Sequence, residues 1–334
     1  MRRRIEFSES AGRRRSSRRQ DASTRRIRVL SLATVAATYC LIVLGSAVRV
    51  TNSGMGCAGW PLCAGQVGPI AQFHPLLEQS HRYLASIVTI LILALTTLAW
   101  RAGLKARHVR GPALLSVGAI AVQIVLGAVT VLTKNAPITV ALHLTVGLLF
   151  LGIVTVTAVA SFIGTEQSWL PHRPGRLAWV TVAGLFLVLI SGSLVVDGGA
   201  QSACESWPVC LGSRASGGLV ALQLIHRSLV LIGGTLVVVY LATLLRRRRV
   251  LHGQRMLALS GLVLLAVQVI IGAFDASLGA PATLADVHLA LASALWAVVV
   301  AVAVLPARGT GDHAAPVDPH DVERTRLSTV GGQN

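Results

Sequence analysis

The sequence predicts an all-α integral membrane protein whose eight transmembrane helices form two tandem, pseudo-symmetric four-helix bundles. Two observations lead to this prediction: the composition suits lipid, and the chain contains an internal repeat. Of the 334 residues, 53% are hydrophobic and only 13% are charged, and the mean hydropathy is +0.68. These values lie outside the usual range of soluble globular domains.

The apolar residues are gathered in eight long runs. A hydrocarbon core about 30 Å thick needs roughly 20 apolar residues per helix. The predicted spans are residues 28–49, 77–100, 112–133, 138–163, 177–197, 219–245, 256–275 and 283–305. Such unbroken runs favour helices, because barrel strands would show short alternating segments and helices satisfy their backbone hydrogen bonds within the span.

Motifs of the first half recur in the second half at a nearly constant offset. Cys57, Trp60, Pro61 and Cys63 recur 147 residues later as Cys204, Trp207, Pro208 and Cys210. His81, Arg82, Gln123, Gly127 and His143 recur 145 residues later as His226, Arg227, Gln268, Gly272 and His288. Four helices return the chain to the same side of the membrane, so we expect parallel halves related by a pseudo-twofold axis along the membrane normal.

The placement of charge predicts the topology. The net charge is +17, and 25 of the 30 basic residues fall in the tails and loops on one side of the predicted spans. By the positive-inside rule both termini are cytoplasmic, in a multi-pass protein of the plasma membrane. A basic tail in this place is typical of a disordered, topogenic, lipid-facing arm, and we expect no binding of nucleic acid.

The repeat and the charges together divide the chain into five parts. We predict a basic cytoplasmic tail (1–27), an N-terminal four-helix half (28–163), a cytoplasmic linker (164–176), a C-terminal four-helix half (177–305) and a polar cytoplasmic tail (306–334).

Four of the five cysteines form two C-x5-C pairs in loops that the topology places outside. Cys57 and Cys63 are one pair, and Cys204 and Cys210 are the other. An oxidising compartment permits disulfides within each loop, whereas a four-cysteine zinc site across the pseudo-axis is the rival interpretation. The fifth, Cys40, is expected to be a small buried residue of the first helix.

Four of the ten histidines lie in or near spans, one on each even-numbered helix: His81, His143, His226 and His288. The separation within each half is 62 residues, so each half presents two imidazoles from alternate helices near one surface. Ionisable groups at such positions are costly and usually functional. Two facing imidazoles in an apolar four-helix bundle are the ligand set of a bis-histidine haem.

Charged residues accompany the first histidine of each half. Arg82 and Arg227 are expected to meet haem propionates, or else to extend toward the outer lipid headgroups. Glu78 lies one turn before His81 on the same helical face, and its counterpart is Gln223. This difference predicts one reactive half and one electron-transfer half, unless Glu78 is a solvated helix-start residue.

These residues resemble the haem A synthase family of cytochrome oxidase assembly. The resemblance covers residues 28–305 and rests on the segment from Arg49 to Cys63, on Glu78-x-x-His81-Arg82 and on the matched histidines. It implies an oxidoreductase that oxidises a methyl substituent of haem O to the formyl group of haem A. It also implies that His81 and His143 flank the substrate haem O.

In the same way, the resemblance implies that His226 and His288 ligate a permanent haem b, that Glu78 is the catalytic carboxylate, and that Cys57–Cys63 is a disulfide. The implied partners are a haem O synthase that delivers the substrate, an electron carrier and membrane lipid, with oligomerisation left open. Two alternatives stand beside this interpretation: a non-catalytic dihaem b-type cytochrome that takes electrons from quinol, and, less well matched, a transporter built from two repeats.

Overall fold

The computed structural model describes residues 2–57, 59–63, 65, 71–163, 175–247 and 250–305, with backbone alone for 2–21 and 104–105. Most of the predicted linker and the whole predicted C-terminal tail lie outside the described residues. The helices are α1 (Arg2–Val50), α2 (Phe73–Arg101), α3 (Arg107–Leu132), α4 (Pro137–Phe162), α5 (Arg176–Asp197), α6 (Gly217–Leu245), α7 (His252–Ser277) and α8 (Ala282–Val304), with a 3-10 turn at Gly103–Ala106.

The described part of the chain confirms the predicted helical membrane fold. It contains eight helices that are long and apolar enough to cross a membrane. In α1 the candidate span is Ala22–Val50, although the helix begins at Arg2 and not near residue 28. The expectation of a disordered basic tail is therefore wrong for residues 2–27, whose backbone is helical. The helices α2, α3 and α7 also begin four or five residues earlier than the apolar runs indicate. The first turns of α3 and α7 are polar, and the first turn of α2 contains His74 and Pro75.

The same turn ends α1 and α5. After α1, the N–H of Ser53 donates to the carbonyl of Val48 at 2.8 Å, and Asn52 has a positive φ of 54°. After α5, the N–H of Ala200 donates to Val195 at 2.8 Å, and Gly199 has a φ of 70°. Asparagine and glycine are the residues that adopt this left-handed conformation at a helix end most readily.

The short connections α3–α4 and α7–α8 repeat in the same manner. Asn135 donates its N–H to the carbonyl of Thr130 at 2.7 Å, and Ala280 donates to Asp275 at 2.7 Å. Both Asn135 and Ala280 have a positive φ. The same backbone turn therefore recurs 145 residues later in these connections and 147 residues later at the ends of α1 and α5. The pseudo-twofold relation of whole bundles stays a prediction.

Helix contacts occur within each half and between the halves. In the first half α1 packs on α2 and α4, and α3 packs on α2 and α4; the second half has the same contacts among α5, α6, α7 and α8. The halves meet where α8 packs on α1 and α4, and where α4 packs on α5. Among the described spans α4 has the largest buried share, followed by α8.

Side chains of α4 and α8 form the centre of this inter-half core. Leu148 and Leu151 of α4 and Leu295 and Val299 of α8 are almost completely buried. The indole of Trp296 donates to the carbonyl of Leu148 at 2.7 Å across the two halves. Cys40, in contrast, is exposed on α1. The expectation that it is buried is wrong, because its side chain lies on a face that no other helix covers.

Candidate functional site

Each of the four histidines packs against a glycine of the preceding helix. Because glycine has no side chain, the imidazole lies directly against the helix backbone. A Cβ added to the glycine would meet Cε1 of the histidine at 2.9 Å for Gly45 and His81, 3.4 Å for Gly127 and His143, 3.2 Å for Gly192 and His226, and 2.6 Å for Gly272 and His288. The glycines thereby set the space that the imidazoles occupy.

The structure brings the histidines together in pairs. His81 and His143 lie on α2 and α4, which both pack on α1 and α3, and His226 and His288 lie on α6 and α8, which both pack on α5 and α7. The Nδ1 atoms of His81, His143 and His288 are buried without a hydrogen-bond partner. His226 differs, since its Nδ1 lies 2.8 Å from Oγ of Ser191. Unpartnered buried nitrogens of this kind indicate a ligand or water.

This donor set fits a haem. Each half offers two imidazoles on alternate apolar helices, with glycine backbones beside them, and one imidazole on each side of a macrocycle is the ligation of a bis-histidine haem. In the described part of the chain, no group of three or more His, Cys, Asp or Glu side chains has the arrangement of a metal-ion site. Two imidazoles in each half match a bis-histidine haem in ligand type and number, whereas zinc usually takes four protein ligands.

Glu78 is buried, with a relative exposure of 4%. Its Oε2 accepts a hydrogen bond from the backbone N–H of Cys57 at 2.8 Å, and its Oε1 accepts one from Arg82 at 2.5 Å. These contacts hold the carboxylate in one position on the helix that carries His81. The alternative of a solvated helix-start residue is wrong, because the cysteine loop covers the side chain.

Gln223, the counterpart of Glu78, is buried to the same degree and has different partners. Its Nε2 donates to the carbonyls of Ala200 and Gln201 at 2.9 and 3.0 Å. The two positions therefore differ in hydrogen-bond direction as well as in charge. The carboxylate of Glu78 accepts from the loop, whereas the amide of Gln223 donates to it.

Both arginines that follow the first histidines bind the cysteine loops. Arg82 donates to the carbonyls of Gly59, Pro61 and Leu62 at 3.0, 3.1 and 3.3 Å. Arg227 donates to the carbonyls of Ser206, Cys204 and Pro208 at 2.7, 2.9 and 3.1 Å. Because several N–H groups of each guanidinium serve the loop, lipid-headgroup contact does not account for their positions. Contact with haem propionates stays a prediction.

The four loop cysteines form two disulfides, Cys57–Cys63 and Cys204–Cys210. The rival interpretation of a shared four-cysteine zinc site is therefore wrong, because the sulfur atoms are paired within each loop. The first disulfide closes the loop that covers Glu78 and contacts Arg82. We call the side of the bundle that carries both loops, and on which α1 and α5 end, the cysteine face.

Two polar contacts at the cysteine face are not predicted by the sequence motifs. Ser53 lies 2.8 Å from Nδ1 of His74, and Arg49 at the end of α1 forms an ion pair with Asp197 at the end of α5. The repeat contained a signal for both. The positions equivalent to Ser53, His74 and Asp197 carry apolar residues in the other half: Ala200, Leu219 and Val50.

Comparisons with known proteins agree with these features. A family model described as cytochrome oxidase assembly protein (COX15-CtaA) matches residues 28–300. A curated protein named heme A synthase from Geobacillus thermodenitrificans is 32% identical over 193 residues, which are 55% of this chain and 60% of the relative. A protein of the same name from Alkalihalophilus pseudofirmus is 27% identical over 232 residues, 66% of this chain and 76% of the relative.

A third heme A synthase, from Symbiobacterium thermophilum, is 32% identical over 199 residues, 56% of this chain and 64% of the relative. The chain thus spans about three fifths of the length of the first of these relatives. The family model covers much more, since its match runs from the first apolar span to the last and includes all four paired histidines. On that match, this chain belongs to the cytochrome oxidase assembly protein family, COX15-CtaA.

Proposed function

We propose that this protein is a haem A synthase, which oxidises a methyl substituent of haem O to the formyl group of haem A for terminal oxidase assembly. One observation carries the proposal beyond family membership. The chain duplicates its histidine pair, but the position one turn before the first histidine carries a buried, hydrogen-bonded carboxylate, Glu78, in one half and the uncharged Gln223 in the other. A reaction at one site and electron transfer at the other require this kind of asymmetry.

The N-terminal half is the reaction site in this proposal. His81 and His143 flank haem O, and Glu78 lies on the same helix face one turn from His81. With water as the source of oxygen, the change from methyl to formyl takes up one H2O and releases four protons and four electrons. A positioned carboxylate assists by accepting protons and by orienting water toward the reacting carbon.

The contacts of Glu78 suit this role. The N–H of Cys57 and the guanidinium of Arg82 hold the two carboxylate oxygens, so the group is oriented before substrate enters. Preorganised groups of this kind contribute more to catalysis than mobile ones, because little reorganisation accompanies the reaction. The disulfide loop also covers Glu78 and keeps bulk water from its buried side chain.

The C-terminal half holds haem b in this proposal. His226 and His288 are the ligands, and the contact of His226 Nδ1 with Ser191 leaves Nε2 of His226 for the iron. A bound b-type haem supplies one-electron redox chemistry. Gln223, an uncharged residue, stands at the position of Glu78, so this half has no carboxylate one turn before its first histidine. Electrons leave to a separate carrier, and a haem O synthase supplies the substrate.

Orientation is part of the proposal. With the basic loops in the cytoplasm of a plasma-membrane protein, the cysteine face lies outside. After reduction, a membrane-impermeant thiol reagent should label Cys57 and Cys204 in intact cells. Cys40, which lies inside the span of α1, should stay unlabelled. Labelling of the loop cysteines in inverted vesicles alone would reverse the topology.

The function is tested by haem analysis of the purified protein. We expect haem B together with haem O or haem A, and haem A formation when haem O and an electron acceptor are supplied. Haem B alone, at two per chain, would contradict the proposal and would identify a dihaem cytochrome instead. The names of the curated relatives give that alternative no support.

A further inference from the structure

A chain of hydrogen bonds links three polar side chains at the cysteine face of the N-terminal half. Oγ1 of Thr51 lies 2.6 Å from the carbonyl of Ala47 and 2.7 Å from Oγ of Ser53. Oγ of Ser53 lies 2.8 Å from Nδ1 of His74. Ser53 is completely buried, whereas His74 is exposed. These hydrogen bonds thus connect the end of α1 with an imidazole at the surface.

The direction of these hydrogen bonds determines the tautomer of His74. A hydroxyl has one proton to donate, and Thr51 donates its proton to the carbonyl of Ala47. Ser53 must then donate to Thr51, so Oγ of Ser53 accepts from the imidazole. Nδ1 of His74 therefore carries the proton, and Nε2 is left with a free lone pair. The hydroxyls hold His74 as a proton acceptor at Nε2.

The second half lacks these side-chain hydrogen bonds, although its backbone forms the same turn at the equivalent residues. The equivalents of Thr51 and Ser53 are Gly198 and Ala200, and the equivalent of His74 is Leu219. The turn itself repeats, because Ser53 and Ala200 make the same backbone hydrogen bond at 2.8 Å. A role in shaping the turn would be needed in both halves. The hydroxyls and the imidazole occur only in the half that carries Glu78.

His74 also lies close to Glu78 on the same helix. The two residues are four positions apart on α2, which places their Cβ atoms about 5–6 Å apart on one face. The loop between Ser53 and Cys57 packs over this face, since the N–H of Cys57 binds Glu78. We take one water molecule as the bridge between the two groups, since a bridging water is nearly as favourable in enthalpy as a direct hydrogen bond.

We propose that His74 accepts protons from Glu78 through Nε2 and releases them to water at the cysteine face, with Ser53 and Thr51 as positioning residues that hold its tautomer. This inference rests on the proposed function, which releases protons at the substrate. For each proton released at the substrate, Glu78 takes up the proton and transfers it to Nε2 of His74. The imidazolium of His74 then releases the proton to solvent. Glu78 is then ready for the next proton, and no electron moves in this step.

The test is haem O conversion by full-length protein that carries His74→Asn. The side-chain amide of asparagine replaces Nδ1 as a donor to Ser53 but offers nothing at the position of Nε2. We expect normal haem b content and haem O conversion lowered by about 10²-fold, the range for loss of a proton-transfer group. Free imidazole in the medium should restore part of the activity, because it replaces the missing base. Ser53→Ala should cause a smaller loss than His74→Asn.

Thr133→Ala is the matched control, since it removes another hydroxyl pair, Thr133 with Thr139 at 2.9 Å, from an exposed turn of the same half. It should leave conversion unchanged. Full activity of His74→Asn, or a loss that imidazole does not restore, would overturn the inference while the wild type still forms haem A. Absence of haem A formation by the wild type would overturn the proposed function instead.

Discussion

Gly272 of α7 lies so close to His288 of α8 that a Cβ on the glycine would be 2.6 Å from Cε1 of the imidazole. Real Cβ atoms essentially never approach a ring atom so closely, so Gly272→Ala must move the histidine or the helix. Because an iron ligand tolerates little displacement, we expect this variant to lose the low-spin haem b spectrum. Optical spectroscopy of the purified protein measures the loss.

Gly253→Ala is the control for this prediction. Gly253 lies on the same helix, and a Cβ there meets no atom within 4 Å. The control should keep its haem b. Gly45→Ala should act on the other site, since its Cβ would meet His81 at 2.9 Å, and it should lower haem O conversion with haem b retained. A normal haem b spectrum in Gly272→Ala would remove His288 from the proposed ligands.

The sequence predicted the helices and the pairs of equivalent positions because both depend on periodic or repeated patterns. Apolar runs of spanning length indicate membrane helices whichever helices pack against them. A constant offset between motifs can likewise be found without any information on packing. The glycines opposite the histidines belong to this predictable class, since Gly127 and Gly272 are themselves part of the repeat.

The contacts of Arg82 could not be predicted in the same way. They depend on the path of the loop from Gly59 to Leu62, whose carbonyls point at the guanidinium. Irregular loops carry no periodic signal, and the partner residues lie about 20 positions away. The hydrogen bond between Ser53 and His74 could not be predicted for the same reason. The only sign of it in the sequence is that the equivalent positions of the other half carry apolar residues.

The two disulfide loops should differ in what their removal does. The loop closed by Cys57 and Cys63 supplies the N–H that binds Glu78 and the carbonyls that bind Arg82. Replacing both cysteines with serine should lower haem O conversion by about 10²-fold, because displacement of a positioned group by about 1 Å costs that much. Haem b should be retained. Haem analysis and conversion assays of the same preparation measure both effects.

Replacing Cys204 and Cys210 with serine is the matched variant in the other half. That loop binds Arg227 through the carbonyls of Cys204 and Ser206, so we expect the haem b content to fall. The environment of Glu78 is left intact by this change. Equal effects of both replacements on conversion and on haem b would contradict a separate role for the first loop.

The ion pair between Arg49 and Asp197 joins α1 of the first half to α5 of the second half. Asp197 is almost completely buried, and Ser193 donates a further hydrogen bond to it at 2.9 Å. Removing Arg49 alone leaves a buried carboxylate without its cation, which typically costs about 3 kcal/mol. Arg49→Met should therefore lower the temperature of unfolding in detergent.

The double variant Arg49→Met with Asp197→Leu separates charge pairing from packing. If the loss in Arg49→Met comes from the unpaired carboxylate, the double variant should regain most of the stability. The free energies of the single and double variants give the coupling between the two residues. Equal stability of the double variant and Arg49→Met would show that the arginine acts through its packing.

Glu78→Gln tests the proposed chemistry most directly, because glutamine is the residue that the second half carries at position 223. The variant keeps the size of the side chain and removes the charge, and an uncharged amide is less costly to bury than a carboxylate. We therefore expect the protein to insert, fold and keep its haem b. Haem O conversion should fall by about 10²–10⁴-fold, the range for loss of a positioned acid–base group.

The measurement is chromatography of the haems extracted from cells that produce Glu78→Gln and wild-type protein at equal levels. Haem O or partly oxidised haem should accumulate in the variant in place of haem A. Gln223→Glu is the reciprocal control, and it should leave conversion in the N-terminal half intact. Undiminished haem A in Glu78→Gln would leave the carboxylate without a catalytic role. Loss of haem b from the same variant would show instead that the contacts of Glu78 with Cys57 and Arg82 hold the bundle together, since the carboxylate would then act on both halves.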